Sequence, residues 1–363
     1  MIILVLLLLA FVVYSVIGKI YAKFWQNRLN IEIFLPEDDV FEGETADIKE
    51  IVVNDKYLPL PTLEIDFSLD KSLHFSNSEN SSISDKLYRR DIFYAGMKKK
   101  ITRTLPVQCT KRGYYTLDKL GFMSYDIFMQ QKFFGKKSFF QNFYVYPARV
   151  STEQISVVYN QIMGEVLSRQ KIYDDPFSFA GIRDYTITDP MKNINWKASA
   201  KNGSLLVNIC DSAISQKLTI IIDCFENASV AGNQLSEESI RIASSLSEIF
   251  IAQGVSISVL GNSHDLFTKE SLELRDLQNL SVNEIRKNFS RLTFSKEEEI
   301  DSCLEQASDD ELLVIISKNP ETAEKIKSLA NDIVWVMPYK YDQPKVADTK
   351  AKMIYWLFQS NNL

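Results

Sequence analysis

The chain has 363 residues, room for two folded domains. With 45% hydrophobic and 24% charged residues and only 12 Gly and 10 Pro, it is neither disordered nor fibrous. Its four cysteines (Cys109, Cys210, Cys224, Cys303) form no CxxC pair and only two histidines accompany them, which argues against a zinc cage and for reduced thiols in a reducing compartment.

The net charge of −6 is uneven. Between Asp85 and Lys137 thirteen Lys and Arg stand against four Asp and Glu, a run read first as solvated strand faces and second as a segment that would feel an anionic leaflet. Ile2 to Ile17 carries no charge and the apolar character continues through Ile20, Tyr21 and Ala22, close to the ~20 residues that cross a hydrocarbon core as a helix. Residues 1–25 are therefore expected to be a transmembrane anchor, with Tyr14, Tyr21 and Trp25 at an interface. A cleaved signal peptide wants a basic segment before the apolar run and a small-x-small site after it. Nothing basic precedes Ile2, and the flank reads Gly18-Lys19-Ile20-Tyr21-Ala22-Lys23. Lys19, Lys23 and Arg28 follow the run, so the positive-inside bias predicts a single-pass cell-membrane protein with a cytoplasmic body.

Residues 30–150 punctuate like a β-sandwich. Ile31 to Leu35 alternates, Glu42-Gly43-Glu44 turns, and Ala46 to Val53 alternates again. Leu63, Ile65 and Phe67 point inward between Glu64 and Asp66, and short runs follow at 101–109, 114–120 and 139–146. After Pro147 the period changes. Ile155, Val158, Ile162 and Val166 mark an amphipathic helix in a 151–204 linker-and-motif segment. Over 205–363, strands (218–222, 255–260, 312–316, 333–337) alternate with helices: one capped at Ser236 and closed by Gly254, one at 322–330 and a last one at 351–358. The fold class expected is α+β multidomain: a transmembrane helix, a β-sandwich, then an α/β domain with a largely parallel, doubly wound sheet.

Between the linker helix and the first core strand lies Phe179-Ala180-Gly181-Ile182-Arg183-Asp184-Tyr185-Thr186-Ile187-Thr188-Asp189-Pro190, continuing Met191-Lys192-Asn193-Ile194-Asn195-Trp196-Lys197-Ala198-Ser199-Ala200-Lys201-Asn202-Gly203. Asp189 suits an N-cap, Pro190 the first helical position and Asn202-Gly203 a left-handed stop, predicting a helix of about three turns. The string Arg183, Asp184, Tyr185, Asp189, Asn195, Trp196, Lys197, Ser199 resembles the hallmark of bacterial domain-of-unknown-function family fifty-eight, with further likeness at Lys111-Arg112-Gly113-Tyr114-Tyr115 and Tyr144-Val145-Tyr146-Pro147. Thr188, where the family usually has glycine, Pro190, in place of a frequent second acid, and a single anchor helix instead of two depart from it. The resemblance implies a membrane-anchored β-rich region joined to a von Willebrand factor A-like (Rossmann-like) domain, and a MoxR-type AAA+ ATPase as partner.

Such domains often bind Mg²⁺ through Asp-x-Ser-x-Ser after the first strand. Here Asp223 remains, but Phe225 and Asn227 replace the hydroxyls and Lys318 adds positive charge, so the site is expected to be degenerate and metal-free. Arg183, Asp184, Asp189, Lys192 and Lys197 offer acid, base and charge, and a hydrolase or transferase using the Arg183–Lys201 cluster is the alternative function; yet Ser199 has no paired His. With no GxxxxGK[ST] or GxGxxG motif, no cofactor is expected. Trp196 is expected to be buried among ion pairs at a domain junction, with a docking surface as the competing reading. The function expected is a non-catalytic scaffold or adaptor whose partners are the membrane and a protein rather than nucleic acid. The docking site is placed at the carboxyl edge of the sheet, with Phe225 as apolar anchor between Glu226 and Asn227.

Overall fold

Alternation of apolar and polar residues builds the first half of the molecule into two facing sheets. The computed structural model describes residues 2–36, 39–77, 79–170, 179–187, 189–210, 217–225, 230–294, 300–308, 311–341, 344, 346 and 349–358. The chain divides into two compact units, formed mainly by Met1–Ala148 and by Arg149–Asn288 with Leu292–Asn361.

In the first unit, helix α1 (Ile2–Phe24) is long and apolar enough to cross a membrane. Ten strands follow: β1 (Leu29–Phe34), β2 (Val40–Phe41), β3 (Thr45–Asn54), β4 (Leu60–Leu69), β5 (Leu73–Phe75), β6 (Ser81–Ile83), β7 (Leu87–Ala95), β8 (Lys99–Cys109), β9 (Gly113–Tyr125) and β10 (Lys132–Tyr146). They form a four-stranded sheet, β1-β3-β8-β5, and a six-stranded sheet, β2-β10-β9-β4-β7-β6, antiparallel except for the β2–β10 pair. Ile33, Ile48 and Val107 of one sheet and Leu63, Ile65, Phe67 and Leu117 of the other share one core. The predicted inward set of β4 is thus the buried set, as a period of two requires. Tyr21 and Trp25, at the exit of α1, belong to the same core.

The second unit begins with α2 (Thr152–Gln170), which buries Ile155, Val158, Ile162 and Val166. A hairpin follows, β11 (Phe179–Asp184) with β12 (Leu206–Cys210), enclosing α3 (Trp196–Asn202). The remaining elements are β13 (Leu218–Ile222), α4 (Val230–Ala252), β14 (Ile257–Asp265), β15 (Ser271–Leu274), α5 (Val282–Ser290), β16 (Leu292–Thr293), α6 (Asp301–Glu305), β17 (Leu312–Ile316), α7 (Thr322–Lys325), β18 (Ile333–Tyr339) and β19 (Lys352–Leu357). The sheet order is β15-β14-β13-β17-β18-β19. β14, β13, β17, β18 and β19 run parallel, while β15 and β16 pair antiparallel with β14. Every residue of β13 and of β17 is buried, which explains their unbroken apolar sequences.

Three expectations are corrected. The predicted last helix at 351–358 is strand β19, because Ile354 and Trp356 are buried while Tyr355 and Leu357 face out, a period of two. Ser236 is not a cap: α4 starts at Val230, and the Ser236 hydroxyl serves Lys318 instead. The basic segment is not wholly solvated strand face, since Arg89 and Arg112 are buried. Cys109, Cys224 and Cys303 are buried free thiols, as expected; Cys210 ends β12.

Arg89 belongs to an ionic group inside the sandwich. Glu50, 1% exposed, points inward between Ile48 and Val52, opposite Arg103 across the β3–β8 pair. From the other sheet Asp91 accepts from Arg89 Nε (2.5 Å) and Nη2 (3.1 Å), and Arg103 Nη1 reaches it at 2.7 Å. The two guanidinium groups lie over Phe75 and Phe93, a stacking that suits arginine in desolvated places. Among the described residues no N–H or hydroxyl reaches either Glu50 oxygen. Burial first, then the Asp91 charge, pushes the Glu50 carboxyl up to about 7 against the opposing pull of Arg103 and Arg89. A carboxyl with a raised folded-state pKa contributes stability that is fully present below its unfolded pKa and is lost as pH rises through the folded value. Glu50→Gln should therefore match wild type near pH 4.5 and exceed it above pH 7 by on the order of 3 kcal/mol, measured by denaturant unfolding of the detergent-solubilised chain. A pH-independent difference would show that Glu50 titrates alike in both states.

Candidate functional site

The parallel sheet presents one crevice by construction. Strand order reverses between β13 and β17, so the loops leaving their carboxyl ends diverge there, the place where open parallel sheets take ligands. Asp223 follows β13, Asn262 lies on the adjoining β14, and Ser317 and Lys318 follow β17. All but Lys318 are buried.

Asp223 is fully engaged by the protein. Its Oδ1 accepts from Asn262 Nδ2 (3.0 Å) and the Phe225 amide (3.2 Å), and its Oδ2 accepts from Ser317 Oγ (2.8 Å). Ser317 Oγ also stands 3.0 Å from Thr322 Oγ1. Asn262 Oδ1 accepts from the Cys224 amide at 2.6 Å, and Trp335 Nε1 donates to the Ser317 carbonyl at 3.0 Å. The half-buried Lys318 ammonium donates to the carbonyls of Phe225 (2.8 Å) and Gly232 (2.9 Å) and to Ser236 Oγ. Burial holds its pKa below the ordinary lysine value, opposed by the charge of Asp223.

These residues do not fit a divalent cation. Hard cations need several free oxygen ligands; here one carboxylate is spent on neutral donors and a lysine supplies a fixed positive charge beside it. Among the described residues no group of three His, Cys, Asp or Glu is placed to hold a metal. Phe225 is half-buried, while Glu226 and Asn227 lie outside the described residues. The apolar anchor expected at this edge is therefore not a prominent exposed side chain.

The motif segment is built differently from its sequence reading. The predicted three-turn helix from Pro190 is replaced by a 3₁₀ turn, Met191–Asn193, followed by the two-turn α3. Asn195, not Asp189, is the N-cap: its Oδ1 accepts from the Ala198 amide at 2.9 Å, satisfying a helix-start donor. Gly203 closes the helix at φ 73°, as expected of the left-handed stop. Asp189 instead receives both guanidinium arms of Arg183 (2.7 and 2.6 Å) and the Thr186 amide and hydroxyl (2.8 Å each). These bonds, Arg183's first, hold its carboxyl well below the usual carboxylate range. Ser199 is buried and committed: its Oγ donates to the Asn195 carbonyl (2.8 Å) and accepts from the Leu206 amide (2.9 Å). A hydroxyl so used is a poor nucleophile. Asp184, Lys192 and Lys197 are exposed and Tyr185 is half-buried.

Trp196 corrects the sequence reading most sharply. It is 64% exposed, not buried. As the first residue of α3 it sits on the turn that Asn195 caps, and the inward position of that helix is taken by Ser199. In the same segment of the chain Ile187 is 97% and Met191 73% exposed, and Ile182 and Leu205 are exposed as well. Sequence reasoning missed this set because each apolar residue, taken alone, reads as core.

No family model and no curated protein matches the sequence. Among solved structures the chain is similar to domains D2 and D3 of the major pilin SpaD from Corynebacterium diphtheriae, with 10% identity over 31% of this chain and 51% of that one and a TM-score of 0.23. It is also similar to a type II cohesin domain from the cellulosome of Acetivibrio cellulolyticus (10% identity, 32% of this chain and 94% of that one, TM-score 0.24). A third is a non-cellulosomal cohesin from Archaeoglobus fulgidus (15% identity, 34% and 94%, TM-score 0.21). The chain spans about half the length of the pilin fragment that it matches.

The engaged Asp223 gives a direct expectation. Asp223→Ala leaves the buried Asn262 and Ser317 donors without their acceptor and should destabilise the chain by about 3 kcal/mol, while millimolar Mg²⁺ should leave the wild-type Tm unchanged. A saturable rise in wild-type Tm with Mg²⁺, absent from Asp223→Ala, would show a working metal site.

Proposed function

We propose that this chain is a single-pass membrane protein with a cytoplasmic body that acts as a non-catalytic adaptor, docking a protein partner on the motif segment of its second unit. The observation that carries this is the exposed Trp196, held on a hydrogen-bonded scaffold with Ile187 and Met191. Large apolar side chains left in water on a fixed frame mark interaction sites, and tryptophan is the commonest energetic anchor of interfaces. The Arg183–Asp189 ion pair and the Asn195–Asn208 amide pair (2.7 Å) hold the frame before a partner arrives, so little ordering remains to oppose binding.

The family resemblance supplies the partner: a MoxR-type AAA+ ATPase. The second unit is read as its von Willebrand factor A-like domain. With β16 set aside as a short antiparallel partner of β14, the strands in chain order run 3-2-1-4-5-6, with the third antiparallel, a succession like that of a doubly wound sheet, and an acid follows its first strand. In this reading the Lys318 ammonium stands in for the cation of metal-binding relatives, and docking moves from the carboxyl edge and Phe225 to the Trp196 face. Lys19 and Lys23 in the carboxyl-terminal turns of α1 and Arg28 just after it support the cytoplasmic orientation.

Trp196→Ala should keep the wild-type Tm, because the side chain is solvated, and weaken binding of the purified ATPase in its ATP-bound form at least tenfold, about 1.4 kcal/mol. Unchanged affinity with unchanged Tm would remove Trp196 from the interface. A large fall in Tm would return it to the core.

A further inference from the structure

The turn joining β9 to β10 carries Ile127, Phe128 and Met129, three consecutive large apolar residues, all exposed. Met129 has φ 54°, a left-handed conformation in which Gly or Asn is the less strained choice. A bulky apolar side chain at such a position, directly after two others, points to an apolar environment outside the protein. Four amides of the turn are already satisfied within it. The amides of Gln130 and Gln131 donate to Asp126 Oδ1 (2.7 and 3.3 Å), that of Met129 to the Asp126 carbonyl (3.0 Å), and that of Asp126 to the Gln131 carbonyl (3.1 Å). Asp126 itself is fully buried, with its carboxyl turned into the protein, and among the described residues no donor reaches its Oδ2. Internal satisfaction of backbone groups is what entry into lipid demands.

The position of the turn relative to α1 identifies what covers it. The Phe128 ring lies 5.1 Å from that of Tyr14, centroid to centroid. Gly18 faces Gln131 so closely that a Cβ on it would stand 3.6 Å from the Gln131 side-chain nitrogen. Further along, Trp25 packs on Phe122 and Phe133 at 5.6 and 5.7 Å. The hairpin thus follows the helix from Trp25 back to Tyr14, about 16 Å at 1.5 Å per residue. A hydrocarbon core of ~30 Å takes about 20 helical residues, so a span starting at Ile2 ends near Tyr21, and Tyr14 then lies roughly 10 Å inside that boundary. Whatever touches Tyr14 is inside as well. Lys132, whose ammonium sits 5.4 Å over the Tyr125 ring, flanks the turn on the body side, an arrangement suited to the headgroup layer.

We propose that the tip Ile127–Phe128–Met129 enters the same leaflet as the carboxyl half of α1 and is covered there by lipid acyl chains. The body would then hold the membrane at two points and could not swivel about α1. This rests on reading α1 as a membrane span, and the test separates the two. The full chain is reconstituted into phosphatidylcholine vesicles with and without lipids bearing a nitroxide on the acyl chain. Bimane is attached in turn to Leu8→Cys in the helix, Phe128→Cys at the tip and Ser82→Cys on β6, with the labelled wild type subtracted as background. Strong quenching at positions 8 and 128 and weak quenching at 82 is the expected result. Quenching at 8 with position 128 no more quenched than 82 overturns the tip insertion and leaves the anchor intact. Quenching at 128 without quenching at 8 overturns the span while the tip insertion stands; quenching at neither overturns both. Met129→Cys repeats the comparison should Phe128→Cys fail to fold.

Discussion

The first unit depends on one packing arrangement: the exit of α1 is built into the core of the sandwich. Tyr21 and Trp25 are buried there, and the Tyr21 hydroxyl donates to the Pro59 carbonyl at 2.9 Å. Trp25 lies against Phe122 of β9 and Phe133 of β10. The Phe122 ring in turn needs Gly135 opposite it, where a Cβ would come within 2.3 Å of the ring. Any larger residue at 135 would displace Phe122 and with it the seat of Trp25. A helix joined this way is not a tether on a flexible linker. In the proposed membrane arrangement it fixes which edge of the sandwich faces the bilayer, and the position of the β9–β10 turn follows.

The second unit turns on a comparable substitution of one interaction for another. Where a parallel sheet opens for a ligand, Asp223 is held by Asn262, Ser317 and the Phe225 amide, and a lysine supplies the positive charge. A cation bound through the chain cannot come and go. The positive charge at this edge is a permanent part of the chain, and the exposed apolar residues lie on the β11–β12 segment. In the proposed adaptor the two units divide the work, one fixing the body to the bilayer and the other presenting Trp196.

Much of this was legible in the sequence where a pattern has one physical meaning. The period of two in β4, the apolar runs of β13 and β17, the amphipathic stripe of α2 and the glycine stops at Gly203 and Gly254 all rest on local geometry. The failures share a cause as well. Asp189 has the chemistry of a cap, but the guanidinium of Arg183 competes for it and leaves the cap to Asn195. Residues 351–358 are short enough to fit either period, and an open sheet edge on β18 decided for a strand. Glu50 shares the inward register of Ile48 and Val52, but a carboxylate reads as solvated, and only its partners on the facing sheet account for its burial. Trp196 was misread because size and apolarity indicate burial on average, whereas exposure is set by which face of a two-turn helix the scaffold covers.

Hydrogen exchange on the full chain in nanodiscs, with and without the ATP-bound ATPase, tests most directly whether the motif segment is the docking surface. New protection of amides within residues 182–206, with those of 261–263 and 317–319 unchanged, is the result expected of an adaptor that docks through Trp196. Protection confined to 261–263 and 317–319, with 182–206 exchanging as before, would contradict it and return the interface to the carboxyl edge of the sheet.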